Sequence, residues 1–214
     1  HAAALKVQRL LDARKAGHAG TLDPMATGLL LICLNEATKM ANLFADFDKE
    51  YLVTMHLGIA TDTYDAEGQI IRQCPVDHLS EQNIRDAAES MRGTISQIPP
   101  MYSAVKLHGK PLYKLARKGI TVQRAPRTVT ISELEIEDIT MPYVRMRVSC
   151  SKGTYIRSLC HDIGVHLGVG AHVTMLRRTR IGPFHVQQAV SLGKLKNSPQ
   201  GIIPIDHALG HLPA

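Results

Sequence analysis

Side chains alternate with a period of two along Tyr51, Val53, Met55 and Leu57, with Leu52, Thr54 and His56 between them. That pattern predicts a strand with one buried face. The same period runs through Val144, Met146, Val148 and Cys150, with Arg145, Arg147 and Ser149 opposite, and is the cleanest strand signal in the chain. Val129 and Ile131 begin a further strand, and Val173 to Arg180 reads as another. Gly28 to Leu34 is a continuous apolar run, read as a short buried strand. Helical spacing appears from Leu5 to Ala13. It recurs over Ala37, Met40, Ala41 and Phe44, with Asn35 as the expected cap. Ser80 caps a predicted helix that runs to Arg92, with Glu81 in its first turn and Gly93 as its stop. Thr154 is the expected cap of a helix whose buried stripe is Ile156, Leu159, Cys160, Ile163 and Leu167, ended by Gly168. Leu112 to Lys118 allows one or two helical turns, and Ser191 starts a last short helix. Gly17 to Thr27 reads as a loop and Thr61 to Gly68 as a polar turn. Strands and helices alternate irregularly and several strand pairs look antiparallel. The expected class is therefore α+β, a mixed α/β domain.

Composition narrows the class. The chain has 214 residues, 44% of them hydrophobic and 21% charged, so one sizeable core is expected and global disorder is excluded. The apolar run from Gly28 to Leu34 falls far short of the roughly 20 residues of a membrane helix. The first fifteen residues form a charged amphipathic pattern rather than a secretory leader. The sequence starts at His1, inside that pattern, so a clipped N-terminus is expected. Cys33, Cys74, Cys150 and Cys160 form no C-x-x-C pair, which reads as reduced, buried thiols of a cytoplasmic protein.

Charge adds more. Lysine and arginine outnumber the acids by 25 to 19, a net of +6. The surplus is concentrated. From Ser90 to Ser132 there are eight basic residues (Arg92, Lys106, Lys110, Lys114, Arg117, Lys118, Arg124 and Arg127) and no acidic one. Acids resume at Glu133, Glu135, Glu137 and Asp138. A solvated face normally mixes signs, so this one-signed stretch points to nucleic acid. Pro99 and Pro100 open it, and its few apolar anchors suggest a mobile arm.

Three residues stand out for chemistry. Asp23 lies in His18-Ala19-Gly20-Thr21-Leu22-Asp23-Pro24. It either caps a turn ahead of Pro24 or presents a carboxylate on a glycine-rich loop as nucleophile or base. Arg157 falls in the first turn of its helix, where the dipole disfavours a cation by roughly 0.3–1 kcal/mol. A carboxylate partner would explain it; simple exposure is the alternative. Tyr51 is a core tyrosine by default, and a catalytic one only if its hydroxyl faces a cleft. His161, His166 and His172 near Cys150 and Cys160 do not make a metal set. His161 and His166 stand about 140° apart on a helix, and no H-E-x-x-H or paired cysteine motif occurs. No nucleotide-binding glycine motif occurs either, so neither metal nor cofactor is expected.

The motifs together resemble the bacterial tRNA pseudouridine synthase B family. His18 to Pro24 followed by Ala26-Thr27-Gly28 is similar to its catalytic motif. Asp48-Lys49-Glu50-Tyr51, with Leu57-Gly58 and Thr61-Asp62-Thr63-Tyr64-Asp65, resembles its tyrosine strand and following turn. Gln97-Ile98-Pro99-Pro100-Met101-Tyr102-Ser103-Ala104-Val105-Lys106 resembles the start of its RNA-gripping arm. Cys150 to Leu159 resembles its arginine motif. Gly170-Ala171-His172-Val173 with Leu176-Arg177-Arg178-Thr179-Arg180 resembles a late motif. The family's leading strand and lysine-proline turn are absent from this sequence, and its small C-terminal RNA-binding module is expected to be missing, since the chain ends at Ala214 soon after Ile203-Pro204-Ile205-Asp206.

The resemblance implies a pseudouridine synthase fold: a central, mainly antiparallel mixed sheet flanked by helices. Residues 1–214 would form the catalytic domain and about 98–124 the mobile arm. It implies isomerisation of uridine 55 in the tRNA T loop, with no cofactor. Asp23 would be the nucleophile or its equivalent, attacking C6 or C1′ or assisting elimination to a glycal. Arg157 would pair with Asp23, and Tyr51 would stack on the uracil and move a proton. Tyr155 and Leu176 would line the pocket, His18 would touch neighbouring bases, and Lys106 and Lys110 would grip phosphates. The partner implied is the tRNA T-arm stem-loop, bound by a monomer with no protein partner and no membrane. A non-catalytic RNA-binding or RNA-chaperone module on the same fold is the alternative from another class; the intact Asp23, Tyr51 and Arg157 set argues against it. A metal-dependent hydrolase acting on RNA is a third reading, and a guide-RNA-dependent relative a narrower one.

Overall fold

A computed structural model of the chain describes residues 2–107, 109–195 and 202–210. His1, Ala214 and, within the expected arm, His108 lie outside the described residues. The chain divides into two compact units, His1–Tyr51 with Arg177–Ala214, and Leu52–Leu176.

The first unit begins with α1 (Ala2–Leu10), which buries Ala4 and Val7. It stops short of the expected Ala13, and Asp12 turns the chain at a φ of 48°. Strands β1 (Ala16–His18) and β3 (Ile32–Leu34) pair antiparallel, with β2 (Thr27–Gly28) between them in sequence. Two expectations change here. Gly17 and His18 are strand residues, paired with Cys33 and Ile32, rather than loop. The apolar run is not one strand: Gly28, at a φ of 99° against the backbone of Arg178, belongs to β2, and only Ile32–Leu34 form β3. Asn35 does not cap a helix either. It adopts a φ of 50°, and its side-chain oxygen accepts from the Arg14 N–H at 2.8 Å. A 3₁₀ stretch (Asn35–Met40) and α2 (Ala41–Ala45) follow, and the apolar spacing still works. Phe44 is buried in a cluster with Ala19, Leu29, Cys33, Ile181, Phe184 and Ala208, and Met40 and Ala41 pack against it. Strand β4 (Lys49–Leu57) alternates buried and half-buried residues as predicted, with Tyr51 on the buried face. Lys49 shares that face because its Nζ donates to the carbonyls of Ala45 and Phe47.

In the second unit, β5 (Ile59–Thr61) and β6 (Ile70–Gln73) form a hairpin around the expected polar turn. Helix α3 (Glu81–Glu89) has the predicted cap: Ser80 Oγ accepts from the Asn83 N–H at 3.2 Å, and Asn83 Oδ1 accepts from the Ser80 N–H at 3.0 Å. Then come β7 (Gly93–Gln97), the small hairpin β8 (Lys106–Leu107) and β9 (Lys110–Pro111), α4 (Leu112–Ala116), β10 (Arg127–Thr140), β11 (Tyr143–Cys150), α5 (Ile156–His166) and β12 (Ala171–Ile181). The sheet order in this unit is β12-β4-β11-β10-β7, with β10 antiparallel to both of its neighbours. Val53, Met55, Leu57, Ile131, Val144, Met146 and Val148 are fully withdrawn from solvent. The acids of β10 that end the basic stretch are used across the strands: Glu137 pairs with Arg145 and Arg147. Thr154 is not the cap of α5. Its hydroxyl donates to Ser151 O at 2.9 Å, and Tyr155 takes the cap position without a side-chain bond.

The chain returns to the first unit in the second half of β12. Arg177 and Arg178 pair parallel with Thr27 and Gly28, and Arg180 and Ile181 pair antiparallel with β13 (Phe184–His185). Helices α6 (Leu192–Leu195) and α7 (Ile205–Leu209) complete the described residues; the first follows Ser191 as expected. No helix among the described residues is long and apolar enough to cross a membrane.

Candidate active site

The candidate residues fall into two groups, one in each unit. In the first unit, His18 ends β1 and Asp23 lies on the loop that leads to β2. The Asp23 carbonyl accepts from the Ala26 N–H at 3.0 Å, so the main chain closes a tight turn with Pro24 inside it. The turn read from the sequence is therefore closed by the backbone, and Asp23 is half-buried. Gly20 and Gly28 flank the loop at φ values of 98° and 99°. Those angles cost glycine little and other residues much.

The loop is built on Arg178. Only 1% of this residue is exposed. Its Nε donates to Leu29 O at 2.8 Å, Nη1 to Thr21 O at 3.3 Å and Nη2 to Gly20 O at 3.3 Å. In return the Leu29 N–H donates to Arg178 O at 2.8 Å. Sequence reasoning quoted Arg178 only as a motif member. A usable signal was present: counting by two from Leu176 along a strand puts Arg178 on the buried face and Arg177 on the other. His18 lies nearby with its Nδ1 buried and without a hydrogen-bond partner. Burial, helped by nearby positive charge including Arg178, pushes its pKa below the usual 6.5.

In the second unit, Arg157 is in the first turn of α5 and only 3% exposed. The carboxylate that its position called for is present: Nη1 is 3.2 Å from Asp65 Oδ2. Nη1 also donates to Thr63 O at 2.9 Å and Nη2 to Tyr102 O at 2.8 Å. Asp65 is held in its turn by Thr63 Oγ1 at 2.6 Å and the Glu67 N–H at 3.1 Å. Between them Tyr64 adopts a φ of 64°, and its ring stacks on His161 at 3.9 Å. Asp65 was quoted in the sequence only as part of a motif, and nothing local marks it as the partner of Arg157.

The root of the basic arm is tied to the same helix start. Gln97, 1% exposed, accepts from the Tyr155 N–H at 2.8 Å and donates to Tyr155 O at 3.1 Å. Ser158 Oγ donates to Ile98 O at 3.0 Å. Arg124 Nη1 donates to Pro99 O at 3.1 Å and so joins the two ends of the arm. Within the arm Met101, Ser103 and Leu112 are buried, while Lys106, Lys110, Lys114, Arg117 and Lys118 are exposed. Tyr155 is half-buried and Leu176 buried. Among the described residues no group of three or more metal-ligating side chains comes together, and the cysteines form no disulfide.

Residues 8–156 match the N-terminal domain of the TruB family of pseudouridylate synthases, and residues 157–209 match the C-terminal domain of tRNA pseudouridylate synthase B. The chain belongs to the TruB pseudouridylate synthase family. It is 53% identical to the tRNA pseudouridine synthase B of Aromatoleum aromaticum, over 100% of this chain and 70% of that protein. It is 49% identical to the protein of the same name from Haemophilus influenzae, over 98% of this chain and 70% of that one. Among solved structures it is similar to a chain of a Cbf5-Nop10-Gar1 complex, at 32% identity and a TM-score of 0.77, covering 99% of this chain and 58% of that one. It is also similar to a chain of an H/ACA RNP bound to a substrate RNA containing 2′-deoxyuridine, at 30% identity and a TM-score of 0.71, covering 100% and 57%. The TruB resemblance, the α+β class with a central mixed sheet and the isomerase class read from the motifs are thereby borne out.

Proposed function

We propose that this chain isomerises uridine 55 in the T loop of tRNA to pseudouridine. The N1–C1′ bond breaks, the uracil turns in place, and C5 bonds to C1′. C5 gives up its proton to solvent and N1 takes one up, so atoms and electrons balance without an oxidant or reductant. The observation that carries this reading is the similarity to tRNA pseudouridine synthase B proteins over the whole of this chain, with the motif from His18 to Gly28 intact and folded as a braced loop around Asp23.

The roles follow from that reading. Asp23 acts as the nucleophile or its chemical equivalent, and Arg157 orients it. Asp65 holds the Arg157 guanidinium in place. Tyr51 stacks on the uracil and moves a proton, Tyr155 and Leu176 line the pocket, and a neutral His18 contacts bases beside the flipped nucleotide. The exposed lysines of the arm, Lys106 and Lys110 among them, grip phosphates of the T-arm stem-loop. Extruding the base costs least from an irregular single-stranded loop. The protein acts as a cytoplasmic monomer.

The test is a T-arm stem-loop carrying tritium at uridine C5. Tritium release by the parent chain, lost in Asp23→Asn while stem-loop binding stays within a few fold, is the expected result. Binding without release in the parent would overturn the isomerase reading in favour of an RNA-binding module. Undiminished release by Asp23→Asn would remove Asp23 from its role.

A further inference from the structure

Arg178 is a buried cation whose described hydrogen bonds all go to main-chain carbonyls; no carboxylate among the described residues pairs with it. Such a cation is expensive to bury, and an apolar side chain of similar volume would fill the space at lower cost. What the guanidinium offers instead is a rigid fork of five N–H donors. The fork spans the two legs of one loop. Gly20 O and Thr21 O belong to the entering leg, and Leu29 O to the leaving one. Asp23 lies between them, at the turn that its own carbonyl closes with the Ala26 N–H. The leaving leg is also registered by the main chain of Arg178, which accepts from the Leu29 N–H and pairs with Gly28. No side chain can be added at Gly28 without striking this strand: a Cβ there would stand 2.2 Å from Arg178 O.

We propose that Arg178 is a positioning residue of the reaction, fixing both legs of the loop so that the Asp23 carboxylate is presented in one place. The proposal rests on the reading of Asp23 given above. It assigns Arg178 no contact with RNA. Its neighbour Arg177 points to the exposed face, so the two arginines of one dipeptide divide into an inner brace and a surface cation.

The measurement is tritium release from the C5-labelled stem-loop, with kcat and KM determined separately on folded protein. Arg178→Met keeps the bulk and removes every donor. We expect kcat to fall by about 100-fold or more, as for a misplaced reacting group, with KM within a few fold of the parent. Arg178→Lys keeps the charge but cannot span the legs, and should recover only a small part of kcat. In Arg178→Ala, millimolar guanidinium should restore turnover where methylammonium does not. A kcat per folded molecule close to the parent in Arg178→Met, or in Arg178→Lys if the methionine variant fails to fold, overturns the proposal. So does a loss confined to KM. If the parent itself releases no tritium, it is the isomerase reading that fails.

Discussion

Arg157 and Asp65 form a buried ion pair, with Nη1 3.2 Å from Oδ2 and side-chain exposures of 4% and 6%. The pair joins the first turn of α5 to the turn between β5 and β6, and the carbonyls of Thr63 and Tyr102 occupy further donors of the same guanidinium. A cation that opposes the helix dipole thus gains the Asp65 charge and the Thr63 and Tyr102 carbonyls.

Removing either member leaves the other charge buried. Asp65→Ala should lower unfolding free energy by up to about 3–5 kcal/mol, the upper bound being the cost of removing one partner of a buried pair. Arg157→Ala should therefore lose stability as well as turnover. Denaturant unfolding of the single and double variants measures the coupling. A double variant no better than the sum of the singles would show that the pair contributes nothing.

The basic arm should act through charge alone. Lys106, Lys110 and Lys114 are exposed and none is paired with a carboxylate among the described residues. Replacing all three by alanine should weaken binding to RNAs of any sequence and flatten the plot of log K against log salt by about 0.7 for each lost phosphate contact. An unchanged slope in a filter-binding titration would take the arm off the phosphates.

Asp162 sets a pH dependence. Burial pushes its carboxyl up to about 6 from the ordinary 3.8. The folded chain then holds this proton more tightly than the unfolded chain, so the contribution is full below the unfolded value and is lost as pH rises through about 6. Asp162→Asn cannot ionise. It should raise Tm relative to the parent at neutral pH, and the advantage should vanish at pH below the ordinary carboxyl range. An equal shift at both ends would point to packing rather than ionisation.

The loop that carries Asp23 tolerates no side chain at its exit. Gly28→Ala meets both a φ of 99° and a backbone oxygen at 2.2 Å, so it should destabilise the first unit and lower turnover together. Gly193→Ala has open space within 4 Å and lies in α6, where alanine gains about 0.5–1 kcal/mol of helix propensity. Thermal melts of the two variants should move in opposite directions.

Local patterns carried much of the fold. The two-residue period of β4 and β11 was legible because one face of each strand is buried and alternation follows from strand geometry. The Ser80 cap was legible because its hydrogen bonds lie within four residues of sequence. Asn35 and Thr154 failed as caps for two different reasons. Asn35 could cap a helix locally but bonds the chain leaving α1; Thr154 instead loses to a local competitor, the Ser151 carbonyl three residues back. The apolar run from Gly28 misled because a glycine at positive φ interrupts it to meet a strand far along the chain.

The sequence by itself determined the family, the candidate catalytic motifs, the basic arm and the amphipathic periods, since each is written in neighbouring residues. It also marked Arg157 as a cation at odds with its helix dipole, explained either by a carboxylate partner or by exposure. Only the tertiary structure decided that Asp65 is the carboxylate beside Arg157, that Gln97 ties the arm root to Tyr155, and that the buried Arg178 reaches the carbonyls of the Asp23 loop. Those choices depend on which distant backbone groups a buried donor can reach, and no residue type or spacing along the chain encodes that distance.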